Sequence, residues 1–248
     1  MKRRAALPSL MFAAILAASG QTAPSSAGTN EIPKVKAGGI ELYLPGPEGD
    51  FIEVGDRLST TVFDLLTPSS NRLLTAYLSR QMQQNMLNGT RPAGGLGLYA
   101  MVEIPRGAEY TDVRPQDFQD LVKTVTTSLG TSVDQAVSNT TDEINARVKE
   151  LGGKPIAVDH PEIVGSLLHK PDFTGWAMLA SIKSGDTGAK MVVMTTMIHV
   201  SRRVLFAYLT GRTNRPRRWI LSENWRTHGR AGFFLLMFLP ANVPAKDR

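Results

Sequence analysis

Residues 173–200, FTGWAMLASIKSGDTGAKMVVMTTMIHV, decide the fold class. Apolar side chains at 176, 178, 180 and 182 share one face of an extended segment, and 192 to 200 alternate in the same way. A period of two is the pattern of a half-buried strand. The turn-forming run SGDTG, at 184–188, predicts that the two strands form a hairpin. Further strands are predicted at 163–169 before it and at 203–211 after it.

The N-terminal half supplies more strands and a short helix. Residues 40–44 and 51–54 are predicted as two strands around the turn Pro45-Gly46-Pro47. The spacing of RLSTTVFDLL, at 57–66, predicts a helix that ends at Pro68. Strands follow at 72–79 and 96–104, separated by a polar segment at 80–88 that is either a short helix or a surface loop.

Two helices are predicted between these groups of strands. The first begins at Pro115, buries a stripe that starts with Phe118, and stops at Gly130. The second begins at Ser132, whose spacing to Gln135 fits a capping box, and ends at Gly152-Gly153. Grouped strands with grouped helices predict an α+β domain with a largely antiparallel sheet covered by helices.

The chain begins like an exported protein. Three basic residues, a short apolar run at 10–18 and small residues up to 27 predict a cleaved signal peptide and leader at 1–27. A single α+β domain is then expected at 38–211, followed by a tail at 212–248. The chain contains no cysteine, which excludes thiol catalysis and cysteine metal sites and leaves stability to the hydrophobic core. A periplasmic or secreted bacterial location is the resulting expectation.

The positive charge is concentrated at the C-terminal end. From Arg202 onward ten Lys and Arg residues face two acidic ones, whereas the whole chain carries only +6. Such a tail suits an anionic membrane surface, or is a solvated end without a specific partner. Nucleic acid is not expected as the partner of an exported protein. The run GFFLLMFL at 232–239 has three interpretations: a final buried strand, a segment dipping into a membrane surface, or the product of an altered reading frame.

Motifs for catalysis and cofactors are missing from the sequence. There is no Gly-x-Ser-x-Gly elbow and no phosphate-binding Gly-x-x-x-x-Gly-Lys loop. The run Asp159-His160-Pro161-Glu162 holds possible metal ligands, but consecutive residues rarely point at one centre. His169 and His199 lie in strand patterns and suit structural roles. No metal site and no cofactor are therefore predicted. The carboxylates that a dispersed hydrolase site could use are Glu103, Glu109, Asp112 and Asp117.

The best candidates for a binding site are Asn71 and Arg72. They lie where the first helix has ended and the strand at 72–79 begins. An arginine at such a position can contact an anion. The alternative is that Asn71 is a turn residue and Arg72 forms a salt bridge within the protein.

Two stretches carry a family resemblance: LPGPEGDFIEVGD at 44–56 and PSSNRLLTAYLS at 68–79. Together with the element order over 40–210, they resemble small exported bacterial proteins with a PsbP-like α-β-α sandwich. The resemblance implies a binding or accessory domain and assigns no ligand residue. The resulting expectation is an exported, noncatalytic accessory or binding protein whose partner is an unknown protein or small molecule. The alternatives are a hydrolase with a dispersed carboxylate or Ser/His site, and a membrane-surface protein that uses its basic tail.

Overall fold

A computed structural model describes residues 34–44, 46–47, 50–88, 97–185 and 187–212. The predicted signal peptide and leader at 1–27, and the tail from residue 213 onward with its apolar run, lie outside these residues. The described strands are β1 Lys34–Ala37, β2 Ile40–Tyr43, β3 Phe51–Glu53, β4 Asn71–Ser79, β5 Tyr99–Pro105, β6 Ile156–Lys170, β7 Phe173–Ser184, β8 Thr187–Val200 and β9 Arg203–Arg212. The described α-helices are α1 Arg57–Leu66, α2 Arg80–Leu87 and α3 Pro115–Glu150.

Seven strands form one antiparallel sheet in the order β3-β4-β5-β9-β8-β7-β6. The predicted α+β class and the antiparallel sheet are thereby confirmed. β7 and β8 form the predicted hairpin, in a register that pairs Ser184 with Thr187 at the turn and Phe173 with Ile198 at the far end. The last described strand, β9, lies in the centre of the sheet, between β5 and β8.

All three α-helices pack on one face of the sheet. Their buried side chains, such as Phe63 of α1, Met82 of α2 and Phe118 of α3, belong to one core cluster with the inward side chains of the sheet. The opposite face carries a second cluster, in which Ala37 and Leu42 of the β1–β2 pair cover β4, β5 and β9. Among the described residues, the layer on this second face is therefore a hairpin, where the sandwich expectation placed helices.

The helical segment at 115–150 is one helix of 36 residues, and the predicted break at Gly130 is wrong. The buried stripe continues in phase from Leu129 to Val133 and Val137, at intervals of four residues. Glycine in a helix costs about 1 kcal/mol relative to alanine. Burial of an apolar side chain contributes about 1.5–3 kcal/mol, so the continuous stripe outweighs the glycine. The helix ends as predicted at Gly152-Gly153, whose amides donate to the carbonyls of Lys149 and Val148 in a Schellman arrangement.

The two strands predicted around the turn Pro45-Gly46-Pro47 are present, but they do not pair with each other. β2 pairs with β1, a strand that the sequence analysis missed, and β3 joins the edge of the large sheet beside β4. Gly38 and Gly39 form the two-residue turn between β1 and β2, with φ of +56° and +81°. Two positive φ angles are what a type I′ hairpin turn requires, and glycine adopts them without a steric cost.

β6 begins at Ile156, seven residues earlier than predicted, because α3 holds its first residue in place. The Asn145 amide nitrogen donates to the Ile156 carbonyl, and the Ile156 amide donates to the Asn145 side-chain oxygen, each at 2.8 Å. The side chain of α3 thus mimics a neighbouring strand. None of the described helices combines the length and the apolar character needed to cross a membrane.

Candidate functional site

Asn71, one of the two predicted binding residues, is buried in the sheet. Only 4% of it is exposed, and its amide nitrogen donates a hydrogen bond of 2.8 Å to Oε2 of Glu103. Glu103 lies on the neighbouring strand β5 and is fully buried, on the same face as Tyr99 and Met101. Asn71 therefore donates to a carboxyl group inside the protein, and a ligand-binding role of Asn71 stays a prediction.

Burial makes Glu103 a weaker acid than a glutamate in water. Removal from water disfavours the charged form and raises the pKa of Glu103 to about 8, although the amide of Asn71, the neighbouring Thr67 and the charge of Arg147 act in the opposite direction. Its Oε1 accepts no hydrogen bond from the described residues, because the Thr67 hydroxyl donates to the Phe63 carbonyl at 2.8 Å. At neutral pH the folded protein thus holds Glu103 predominantly protonated.

Arg147 of α3 lies near the buried carboxyl group of Glu103. Its Nη1 donates to the carbonyls of Asp64 and Thr67, at 3.2 and 2.7 Å, and so binds the C-terminal end of α1. Glu143, one turn earlier, accepts a hydrogen bond from the Ser69 amide. The two side chains tie α3 to the α1–β4 connection and cover the buried carboxyl group.

Arg72, the second predicted binding residue, points to the opposite face and forms a salt bridge. Its Nε donates to Oε2 of Glu109 at 3.1 Å, and its Nη2 contacts Oε1 of the same carboxylate. Nη2 also donates to the Lys36 carbonyl of β1 at 2.7 Å. This hydrogen-bonded ion pair holds the pKa of Glu109 below its usual value. The alternative of an internal salt bridge therefore describes the observed geometry, and a binding role of Arg72 stays a prediction.

A second arginine, Arg203, is buried and fixes the β1–β2 turn. Nη2 of Arg203 donates to the Gly38 carbonyl at 3.2 Å, and its Nη1 donates to Asp112 at 2.6 Å. The Gly38 amide in turn donates to Glu109 at 3.3 Å. A Cβ at Gly38 would lie 1.9 Å from the Glu109 carbonyl oxygen, so only glycine fits. Two arginines and two carboxylates thus clamp the hairpin to the sheet.

Residues 106–114 connect β5 to α3 and form the β5–α3 loop. The Arg106 amide donates to the Ser70 carbonyl at 2.9 Å, and the Val113 amide donates to the Arg202 carbonyl at 3.0 Å. Tyr110, at the tip of the loop, is 78% exposed. The carboxylates of this loop are among the candidates predicted from the sequence, whereas its tyrosine is not. A lone aromatic residue among charged ones, in RGAEYTDVR, was the available signal.

The four carboxylates suggested for a hydrolase do not converge on one site. Glu103 is buried on the helical face, whereas Glu109 and Asp112 are bound by arginines on the side of the hairpin. Asp117 is held by the Arg114 guanidinium through two hydrogen bonds of 2.8 Å, which lowers the pKa of Asp117 to about 2. Each carboxylate has a structural partner in the described part of the chain.

The described histidines and carboxylates were compared with the geometry that a metal ion requires. Within the described ranges, no group of three or more His, Asp or Glu side chains is placed to hold a metal ion. Asp159 pairs with Lys183 on the adjacent strand. His199 stacks on Phe118, with 5.3 Å between ring centroids, and its Nε2 donates to the Val113 carbonyl at 2.8 Å. His169 lies 3.5 Å from the Thr174 hydroxyl.

The fold and the site define an α+β protein with an antiparallel sheet, a buried carboxyl group and a firmly held charged loop. No family model matches the chain, and that holds for the PsbP-like family as well. No curated protein matches it either. Among solved structures, the Ran-binding protein Mog1p of Saccharomyces cerevisiae is similar at 9% sequence identity and a TM-score of 0.29, over 84% of this chain and 92% of that one. A similarity this low carries no argument about partners.

Proposed function

We propose that the protein is an exported, noncatalytic binding or accessory protein that acts through a protein partner. The observation that carries the proposal is the β5–α3 loop, which presents Tyr110 to solvent from a backbone held at both ends. Tyrosine is enriched in protein interfaces because it combines a large apolar ring with a hydrogen-bonding hydroxyl. A loop that is already ordered loses little conformational entropy on binding, which favours affinity.

The buried polar groups support a noncatalytic function. Glu103 has the strongly raised pKa that catalytic acids often have, but it has no exposed surface through which it could touch a substrate. The other suggested carboxylates are bound by arginines. The geometry of the described residues therefore gives these four carboxylates no pair with which to perform acid–base chemistry on one substrate.

The two ends of the sequence bear on where the protein acts and on the remaining alternative. The pattern at 1–27 supports export to the periplasm or the medium, and the PsbP-like resemblance supports an accessory domain. A membrane-surface function through the basic tail is the remaining alternative, and no contact of the described residues favours it.

The proposal is tested by site-specific photo-crosslinking in the living bacterium. The full-length gene is expressed with a photoreactive phenylalanine analogue at Tyr110 or, as a matched control, at Tyr43, which is 45% exposed on the β1–β2 hairpin. The expected result is a discrete crosslinked protein in the periplasmic fraction. The proposal is refuted if neither Tyr110 nor a scan of other exposed positions yields a crosslinked protein while the purified protein turns over a substrate. Retention of an uncleaved chain in the cytoplasm would refute export.

A further inference from the structure

The surface around Tyr110 carries an excess of positive charge. Six cationic residues lie in or beside the β5–α3 loop, and three carboxylates lie among them; Lys36 is placed there by its main-chain carbonyl, which accepts a hydrogen bond from Arg72. The cations are Lys36, Arg72, Arg106, Arg114, Arg202 and Arg203, and the carboxylates are Glu109, Asp112 and Asp117. The local surplus is three positive charges, although the described residues as a whole contain as many acidic as basic side chains.

The cations of this surface fall into two groups. The guanidinium groups of Arg72, Arg114, Arg202 and Arg203 are bound to carboxylates and hold the loop in shape. Lys36 and Arg106 have no carboxylate partner within the described ranges, and both are exposed. Arg106 donates from Nε to the Asn71 carbonyl at 2.9 Å, which fixes the base of its guanidinium and leaves further donors. These two exposed side chains form no salt bridge within the described residues, although the charge of Arg106 helps to lower the pKa of Glu109.

We infer that the β5–α3 loop is the recognition surface of the protein and that its partner is an acidic segment of another protein. This inference rests on the proposed function. Carboxylate side chains of the partner pair with the free cations Lys36 and Arg106, since charge-assisted hydrogen bonds from guanidinium and ammonium groups are the strong ones. The ring of Tyr110 supplies the apolar contact at the centre, and its hydroxyl a further polar one.

A protein partner fits this surface better than a lipid bilayer or a nucleic acid. Shallow insertion into a bilayer requires several exposed apolar side chains along one face. Of the large exposed apolar residues among those described, only Tyr110 lies in the loop; the others are Tyr43, Leu87 and Leu151. Binding to a nucleic-acid backbone typically neutralises six to ten phosphates, which the surplus of three charges does not match.

The inference is tested with a defined probe and the full-length protein. The probe is a fluorescein-labelled peptide of twelve residues in which Glu alternates with Ser and Gly, and its Gln-for-Glu analogue is the neutral control. Binding is followed by fluorescence anisotropy at about 0.1 M salt, where the Debye length is about 10 Å. The variants are Tyr110→Ala and the pair Lys36→Gln/Arg106→Gln.

Each variant has a matched control elsewhere on the surface. Tyr43→Ala removes an exposed tyrosine from the hairpin. The pair Lys123→Gln/Lys190→Gln removes the same charge from exposed positions on α3 and β8. Circular dichroism of each variant checks that the fold is kept, and because both charge variants retain the basic tail, any difference between them belongs to the loop.

Tyr110→Ala is expected to raise Kd for the acidic peptide about tenfold, the size of a moderate interface hot spot. Lys36→Gln/Arg106→Gln is expected to raise it about fivefold, and both controls less than twofold. Equal binding by all variants overturns the inference, and so does loop-dependent binding to phosphatidylglycerol vesicles or duplex DNA in place of the peptide. The proposed function fails separately, through the crosslinking experiment, because a partner captured from another face leaves that function intact.

Discussion

The buried acid Glu103 makes the stability of the protein depend on pH in a direction opposite to that of most carboxylates. Its pKa of about 8 in the folded protein exceeds the ordinary value of 4.5. Between these values the folded chain retains a proton that the unfolded chain has lost, so the free energy of unfolding falls as pH rises. The stabilising contribution of Glu103 to the free energy of unfolding is fully present below pH 4.5 and declines between pH 4.5 and 8. Above pH 8 it no longer changes with pH.

The size of this effect follows from the two pKa values. Each unit of difference corresponds to about 1.36 kcal/mol, so the penalty is about 3 kcal/mol at pH 7 and about 5 kcal/mol at pH 9. Glu103→Gln keeps the size of the side chain and an oxygen that can accept from Asn71, and it carries no charge at any pH. The variant should therefore match the parent protein near pH 4 and exceed its stability by about 3 kcal/mol at pH 7.

The assay is urea denaturation followed by circular dichroism at half-unit steps from pH 4 to 9, with the free energy of unfolding extrapolated to water. Taking the difference between variant and parent at each pH removes the contribution of every other titrating group. Asn71→Ala serves as a second variant: it removes a donor that stabilises the carboxylate, so the decline of stability should extend to higher pH. A difference between Glu103→Gln and the parent that stays constant from pH 4.5 to 8 would refute the assignment of a raised pKa.

Three further predictions concern the contacts that hold the sheet and its hairpin. Gly38→Ala should lower the free energy of unfolding by about 2–4 kcal/mol, because the added Cβ is strained and overlaps the Glu109 carbonyl. Gly39→Ala has open space around the added Cβ and should cost only the backbone strain of about 1 kcal/mol. Equal costs of the two variants in urea titrations would contradict the overlap at Gly38. Asn145→Ala should lower the free energy of unfolding by about 2 kcal/mol, because it removes two hydrogen bonds to the start of β6. Amide hydrogen exchange should accelerate first in that segment. Unchanged protection of the segment would argue against the contact. Arg72 lowers the pKa of Glu109, so the ion pair stabilises the fold above the ordinary pKa of a glutamate, and this stabilisation is lost as pH falls through the lowered pKa. Glu109→Gln should therefore reduce the loss of unfolding free energy at acid pH. An unchanged loss at acid pH would count against the ion pair.

The alternation of apolar and polar residues predicted much of the sheet. β7, β8 and β9 were found because each has one face directed at the helices, and a period of two is visible without knowledge of the partner strand. The sequence could not show that β9 inserts beside β5, since strand order depends on contacts far apart along the chain. Gly38-Gly39 between alternating apolar residues is the standard signal of a tight hairpin, and it could have revealed β1.

The candidate site was predicted only in part, and for a physical reason. Asn71 and Arg72 were correctly placed at the start of a strand, but adjacent residues of a strand point to opposite faces. One therefore meets Glu103 and the other Glu109, so the two never form one site. Glu103 was a candidate for a hydrolase site because a single sequence does not show that both faces of β5 are covered. Tyr110 could be recognised only once the structure showed a firmly held loop beneath it.

The central position of β9 also sets the order in which the protein can fold. β5 and β9 pair across Tyr99 and Thr210, so more than a hundred residues must be synthesised between the two partners. Until residue 212 is available, the growing chain holds two incomplete sheets with open edges, β5 on one side and β8 on the other. Long-range pairing of this kind is slow, and unpaired edges attract other chains. For a protein proposed to cross a membrane before folding, a slow final pairing favours a chain that is still unfolded during export.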